Sequence, residues 1–137
     1  MAQKYSRLTP EGRLVWFVER LWYLTRDLPV KQIPIDQIRE FDQDYWFGPM
    51  SPPSCRAVAE HAWRIFEADL QHPIILSAGG YLMDGGHRIA KAYLQQMQTV
   101  TAVQFVDDPE PDYILAPSAP LPTEPRIPVR SRRSDAD

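Results

Sequence analysis

The chain of 137 residues has one cysteine, Cys55, and that scarcity excludes an internal disulfide and any zinc framework built on thiolates. A reducing compartment is the expectation that follows. No apolar run approaches the roughly 20 residues a membrane helix requires, and no short apolar h-region stands near the N-terminus. Neither a membrane span nor a signal peptide is expected, and the predicted location is cytoplasmic. An excess of positive charge is also missing. Fifteen basic residues face eighteen acidic ones, for a net charge of −3. Residues 1–106 carry eleven of each sign, so the negative excess lies wholly in residues 107–137. The body of the chain has no net electrostatic drive towards a nucleic-acid backbone, although a local basic patch is compatible with these totals. No internal repeat is visible.

What remains is an ordinary globular composition, 44% apolar and 24% charged, long enough for a single moderate core. Thr9-Pro10-Glu11 reads as a helix start: a capping residue, a proline in the first turn and an acid at the positive dipole end. Leu14, Phe17, Val18, Leu21, Trp22 and Leu24 follow at spacings of three and four, predicting a helix of about four turns that stops before Pro29. Trp16 and Tyr23 broaden its apolar surface, which suits either the core or a partner subunit. Residues 30–38 read as extended, with Pro34 restricting them to an edge strand and Asp36-Gln37-Ile38 as the turn after it. Residues 39–47 form a predicted loop that combines Glu40, Asp42 and Asp44 with Tyr45, Trp46 and Phe47. This is either a solvated loop with its rings folded inward or a substrate-facing wall.

The breaker cluster Gly48-Pro49-Met50-Ser51-Pro52-Pro53 precedes a predicted amphipathic helix over 55–70, capped by Ser51 or Ser54. Val58, Ala62, Ile65, Phe66 and Leu70 are its expected inward face. His61 reads as structural or exposed, and nothing marks Cys55 as a nucleophile. Pro73-Ile74-Ile75-Leu76, a Gly79-Gly80 turn and Tyr81-Leu82-Met83 predict a hairpin, and residues 100–106 a closing strand. Half of the 14 prolines fall after residue 106, and few large apolar residues follow Leu115. Residues 116–137 are therefore predicted to be a flexible tail, with Arg130-Ser131-Arg132-Arg133 as its one basic run.

The chemistry concentrates at Asp84-Gly85-Gly86-His87-Arg88, between the hairpin and a helical pattern carrying Ile89, Ala90, Tyr93 and Leu94. A helix N-terminus presents unpaired N–H groups and a positive dipole end. Two glycines permit close backbone approach, and His87 and Arg88 add donors. An anion site, most simply for phosphate, is the local reading. The plain alternative is a tight strand-to-helix turn in which Asp84 and His87 serve as caps.

In element order and in these motifs, residues 30–106 resemble the ParB N-terminal/sulfiredoxin superfamily. The resemblance is carried by His72-Pro73-Ile74-Ile75-Leu76, the glycine turn, the Asp-Gly-x-His-Arg motif, the alanine-containing helix and Val100-Thr101-Ala102-Val103. It implies an α/β (α+β) fold with a small mixed sheet and flanking helices, in which the motif binds nucleotide phosphates. The domain organisation expected is a nucleotide-binding domain over 30–115, with an N-terminal helix over 1–29 packed on the core and a tail over 116–137, both lying outside the pattern shared with the superfamily. Gly86 stands where sulfiredoxins carry their nucleophilic cysteine, so sulfinic-acid repair is not implied. Gly86-His87-Arg88 departs from the Gly-Glu-Arg-Arg type motif of the CTP-binding partition proteins, and a proline-rich tail replaces their helix-turn-helix domain.

Asp-Gly-x-His-Arg is most similar to the free-serine kinases of the superfamily. That resemblance implies phosphoryl transfer to a small hydroxyl compound. Gly85, Gly86, His87 and Arg88 would hold the phosphates of ATP, ADP or CTP with Mg²⁺. Asp42, or Glu40 as its competitor, would act as base, Asp84 would orient His87 or help hold the metal, and Trp46 and Phe47 would exclude water. No protein-held metal site is fixed by the sequence. A catalytically silent, nucleotide-dependent regulatory module stands as the alternative, with a protein or DNA partner contacted through the residue 10–26 helix or the arginine-containing tail. A homodimer is compatible with either.

Overall fold

The computed structural model describes residues 3–122, which hold three α-helices and two sheets of three and four strands, a mixed α+β architecture. The chain divides into two compact units rather than the one expected from length. Residues 28–106 form one, and residues 3–27 with 107–122 form the described part of the other. The run Arg130-Ser131-Arg132-Arg133 lies outside the described residues. Among the described residues, no helix is long and apolar enough to cross a membrane.

The N-terminal unit corrects the predicted four-turn helix. Its first half is a hairpin, β1 (Lys4–Thr9) and β2 (Gly12–Phe17), and only α1 (Val18–Leu24) is helical. The Thr-Pro-Glu sequence makes a turn instead of a helix cap, because Gly12 follows it with φ +130°. A side chain there would meet the Leu115 carbonyl oxygen at 2.5 Å, so glycine is required. The Thr9 hydroxyl donates to the Gly12 carbonyl at 2.9 Å and accepts from the Glu11 N–H at 3.2 Å, closing the loop. Arg13-Leu14-Val15-Trp16-Phe17 is so rich in apolar residues that helical and strand periods fit it equally, and pairing with β1 and with β7 (Tyr113–Leu115) decides for strand.

A buried ion pair fastens the two chain segments of this unit. Arg20 Nη1 donates to Asp112 Oδ2 at 3.2 Å, the same oxygen accepts the Phe17 N–H at 2.9 Å, and the two side chains are 2% and 0% exposed. Residues 107–115 thus belong with the N-terminal segment and not with the 30–115 domain expected from sequence.

The 28–106 unit is built on a four-stranded mixed sheet in the order β3-β6-β4-β5. Its strands are β3 (Lys31–Pro34), β4 (Ile74–Leu76), β5 (Leu82–Asp84) and β6 (Thr99–Gln104). β6 runs antiparallel to β3 and parallel to β4, and β4 is antiparallel to β5. Pro34 lies on the edge strand β3, where its missing N–H breaks no ladder. Two 3₁₀ turns follow, over Ile35–Gln37 and Arg39–Asp42. The core joins Ile35, Ile38, Ile74, Leu76, Leu82, Ile89, Ala92, Val100 and Ala102, with Phe41, Tyr45 and Leu70 packed at its margin.

Two helices complete the unit, α2 (Cys55–Glu67) and α3 (Gly86–Leu94). Ser54 caps α2 by accepting the Ala57 N–H at 3.1 Å. The expected burial of α2 fails: none of its residues is buried, and Val58 and Phe66 are 49% and 72% exposed. Amphipathic spacing was present, but within the described residues nothing covers that face fully. Cys55, the first residue of α2, is a free and exposed thiol.

Candidate functional site

The site grows from the junction of β5 and α3, where Asp84 ends the strand and Gly85 starts the helix with φ +121°. A Cβ on Gly85 would stand 2.5 Å from Ile74 Cγ2 and 2.8 Å from Ile74 Cβ, so the turn closes against β4 only with glycine there. At Gly86 a Cβ would stand 2.9 Å from Trp46 Nε1 and 3.0 Å from the Tyr45 ring. The second glycine therefore admits the aromatic segment to the first residue of α3. Gly85 supplies no side-chain cap to the helix, in contrast to Ser54 at α2.

Arg88 turns away from the helix start. Its Nη2 donates to Asp84 Oδ2 at 2.7 Å, and its Nη1 donates to the carbonyls of His72, at 3.2 Å, and Pro73. The Asp84 side chain is 3% exposed and that of Arg88 15%. One turn on, Lys91 Nζ donates to the carbonyls of Phe66 at 2.9 Å and Ala68 at 2.6 Å, at the end of α2. Both cations of α3 thus staple the connection between α2 and β4. Two expected roles are affected: Arg88 is engaged as a structural clamp, and Asp84 faces Arg88.

The segment after β3 packs along the edge strand β5. Glu40 Oε2 accepts the Leu82 N–H at 3.0 Å, while the Tyr45 hydroxyl donates to the Leu82 carbonyl at 3.0 Å. Between them these side chains satisfy both polar groups of a residue on the open edge of the sheet. Glu40 Oε1 is buried without a hydrogen-bond partner. Phe41 packs on Tyr93 with ring centroids 5.2 Å apart, and Arg39 lies over the Tyr81 ring at 4.1 Å. Asp42 is exposed, and Asp44 accepts the Phe47 N–H at 2.8 Å. Of the two candidate bases, Glu40 and not the first-placed Asp42 is the carboxylate drawn into the fold.

His87 is half-buried in the first turn of α3, and its surroundings were not legible in the motif. His61 Nδ1, from α2, lies 2.8 Å from His87 Nε2 in a hydrogen bond, and the two ring planes are 19° from parallel. Trp46 lies across both imidazoles, 4.7 Å and 14° from His61, 4.6 Å and 9° from His87. Phe47 meets His61 edge-on at 5.1 Å and 78°. Burial, then the neighbouring His61, Arg64 and Arg88, push the His87 pKa down to about 4 against the opposing pull of Asp84. Burial and Arg64 also lower that of His61, opposed by Glu60. At neutral pH the pair is uncharged and shares a single bridging proton.

The structure thus brings Gly85, Gly86, His87, Trp46 and Phe47 together, adds His61 and Tyr45, and directs Arg88, Asp84 and Glu40 into the framework. His61 was missed as a site residue because no spacing rule connects position 61 to position 87. Asp84 is paired with Arg88, and among the described residues no group of three or more His, Cys, Asp or Glu is placed to hold a metal ion. Compared with family models, curated proteins and solved structures, the chain matches none.

Proposed function

We propose that the 28–106 unit binds an anion of the nucleotide-phosphate class at the head of α3, and that it binds this ligand without transferring its phosphate. The observation that carries the reading is the helix start itself. Gly85 offers no capping side chain, and the His87 ring and Trp46 Nε1 stand beside the first turn. A helix head of nine residues with only glycine at its cap favours an external acceptor for its N–H groups. His87, neutral at pH 7, supplies an uncharged donor to such a ligand, and the aromatic segment forms one wall. The ParB/sulfiredoxin-like motif points the same way. Any Mg²⁺ would be carried chiefly by the phosphates of the ligand, since Asp84, the carboxylate beside the helix head, is paired with Arg88.

Binding is favoured over transfer because the two expected bases are poorly suited to the work. Glu40 is held by the Leu82 amide and Asp42 is exposed. A kinase reading retains one specific support, the unpartnered Glu40 Oε1, which is buried and would have to be uncovered before it could accept a hydroxyl proton. The discriminating experiment incubates the protein with Mg·ATP and serine or other small hydroxyl compounds and follows ADP release. Binding by calorimetry with no turnover is the expected result. Turnover that Glu40→Gln abolishes would replace the binding reading with the kinase one.

A further inference from the structure

His61 belongs to a different helix from the motif and lies 26 residues before His87 in the chain, yet it determines how His87 can act. With His87 Nε2 bonded to His61 Nδ1 at 2.8 Å, Nδ1 is the one ring nitrogen of His87 left for a ligand. The two imidazoles are also near-parallel, and the indole of Trp46 stacks on each of them. Trp46 Nε1 lies 2.9 Å from the point a Gly86 Cβ would occupy, so this stack sets where the indole N–H stands against α3. Phe47 packs against His61 with its ring nearly perpendicular to the imidazole, 5.1 Å away.

We infer that His61 is a positioning residue of the anion site: without touching the ligand, it fixes the ring plane and the free nitrogen of His87 and holds Trp46 across the helix head. This rests on the anion reading above. His61 acts through two separable contacts, a hydrogen bond to His87 and a ring face under Trp46. His61→Phe keeps the ring face and removes the hydrogen bond. His61→Asn places an amide near the Nδ1 position and restores the bond without the aromatic ring. His61→Ala removes both. Because His61 lies on a helix with no buried residue, none of these changes opens a core cavity.

The test combines two readouts on the full chain. Nitrogen-15 NMR of the ligand-free protein reports which His87 ring nitrogen carries the proton. Calorimetry with Mg·ATP and with inorganic phosphate reports affinity, and circular dichroism checks α2. In wild type the anion reading requires the proton on His87 Nδ1, with the His61 Nδ1–H donating to His87 Nε2, and this one tautomer is expected. In His61→Ala and His61→Phe the pattern becomes a mixture and affinity falls about tenfold, the size of one charge-assisted hydrogen bond. His61→Asn recovers the single tautomer and most of the affinity. An unchanged His87 nitrogen pattern in His61→Ala, or affinity within twofold of wild type, overturns the positioning role. A wild-type protein that binds neither probe overturns the anion reading instead, and with it the inference built on that reading.

Discussion

Arg88 separates a structural clamp from a ligand group, because the two roles predict opposite results for one substitution. The guanidinium makes three donations, to Asp84 Oδ2 and to the carbonyls of His72 and Pro73, and its side chain is only 15% exposed. Arg88→Ala removes all three and leaves the Asp84 carboxylate, 3% exposed, without its cation. Breaking a buried pair from one side costs about 3–5 kcal/mol. Asp84 has further contacts, which favours the lower end, about 3 kcal/mol. With a urea m-value of about 1–3 kcal/mol/M, the midpoint should fall by at least about 1 M. Arg88→Lys cannot reproduce the fork and should recover less than half of the loss. A cycle with Asp84→Asn should give a coupling of at least about 1 kcal/mol between residues 84 and 88. The reasoning is refuted if Arg88→Ala unfolds within 1 kcal/mol of wild type while eliminating ATP binding, for Arg88 would then be a ligand group and not a clamp.

Three further outcomes follow from the geometry. Gly85→Ala forces a side chain into Ile74 at a φ of +121° and should cost about 2–4 kcal/mol, measured by urea unfolding; a loss below 0.5 kcal/mol would contradict the tight closure of that turn. The unfolded chain takes up a proton on residue 87 near pH 6.5, which the folded protein declines until about pH 4. Stability should therefore be level in this respect above pH 6.5 and fall as pH drops towards 4, by less than the ideal slope of about 1.4 kcal/mol per pH unit because solvent screens the half-buried ring. His87→Gln should flatten this slope. In the N-terminal unit, Asp112→Ala leaves Arg20 buried and unpaired and the Phe17 N–H without an acceptor, for an expected cost of about 3–5 kcal/mol by thermal and urea unfolding.

Local chemistry made the 28–106 unit legible and the rest obscure. Pro34, the Ile74–Leu76 run, the turn near Gly80 and the handover from Asp84 to α3 each carry a short-range signal, and each lies where its signal points. The N-terminal segment misled because Pro10 is acceptable both in a first helical turn and in a hairpin loop, and the deciding residue is Gly12, where the Leu115 carbonyl comes close. That approach joins positions about a hundred residues apart, and no local period reports it. The face of α2 was recognised as amphipathic, but periodicity records spacing and not what packs against it. Within the site, the residue types at 84–88 were evident, whereas their allegiances were not. Arg88 could have faced an anion or a carbonyl, and only the position of the 72–73 peptides assigns it to the fold. His61 carried no signal at all, since a lone histidine on a helix is ordinary.

The central claim is that the head of α3 receives an anion through His87, and the direct measurement is calorimetric titration of Mg·ATP, Mg·ADP and Mg·CTP into wild type and His87→Ala. The account predicts binding of at least one nucleotide by wild type and about tenfold weaker binding by His87→Ala, which stays folded with an unfolding midpoint at neutral pH lowered by the loss of the His61 bond and the Trp46 stack. Equal affinity of the two proteins, or no binding by wild type at millimolar nucleotide, would contradict it and leave Asp84-Gly85-Gly86-His87-Arg88 as a turn that starts a helix and staples it to its neighbours.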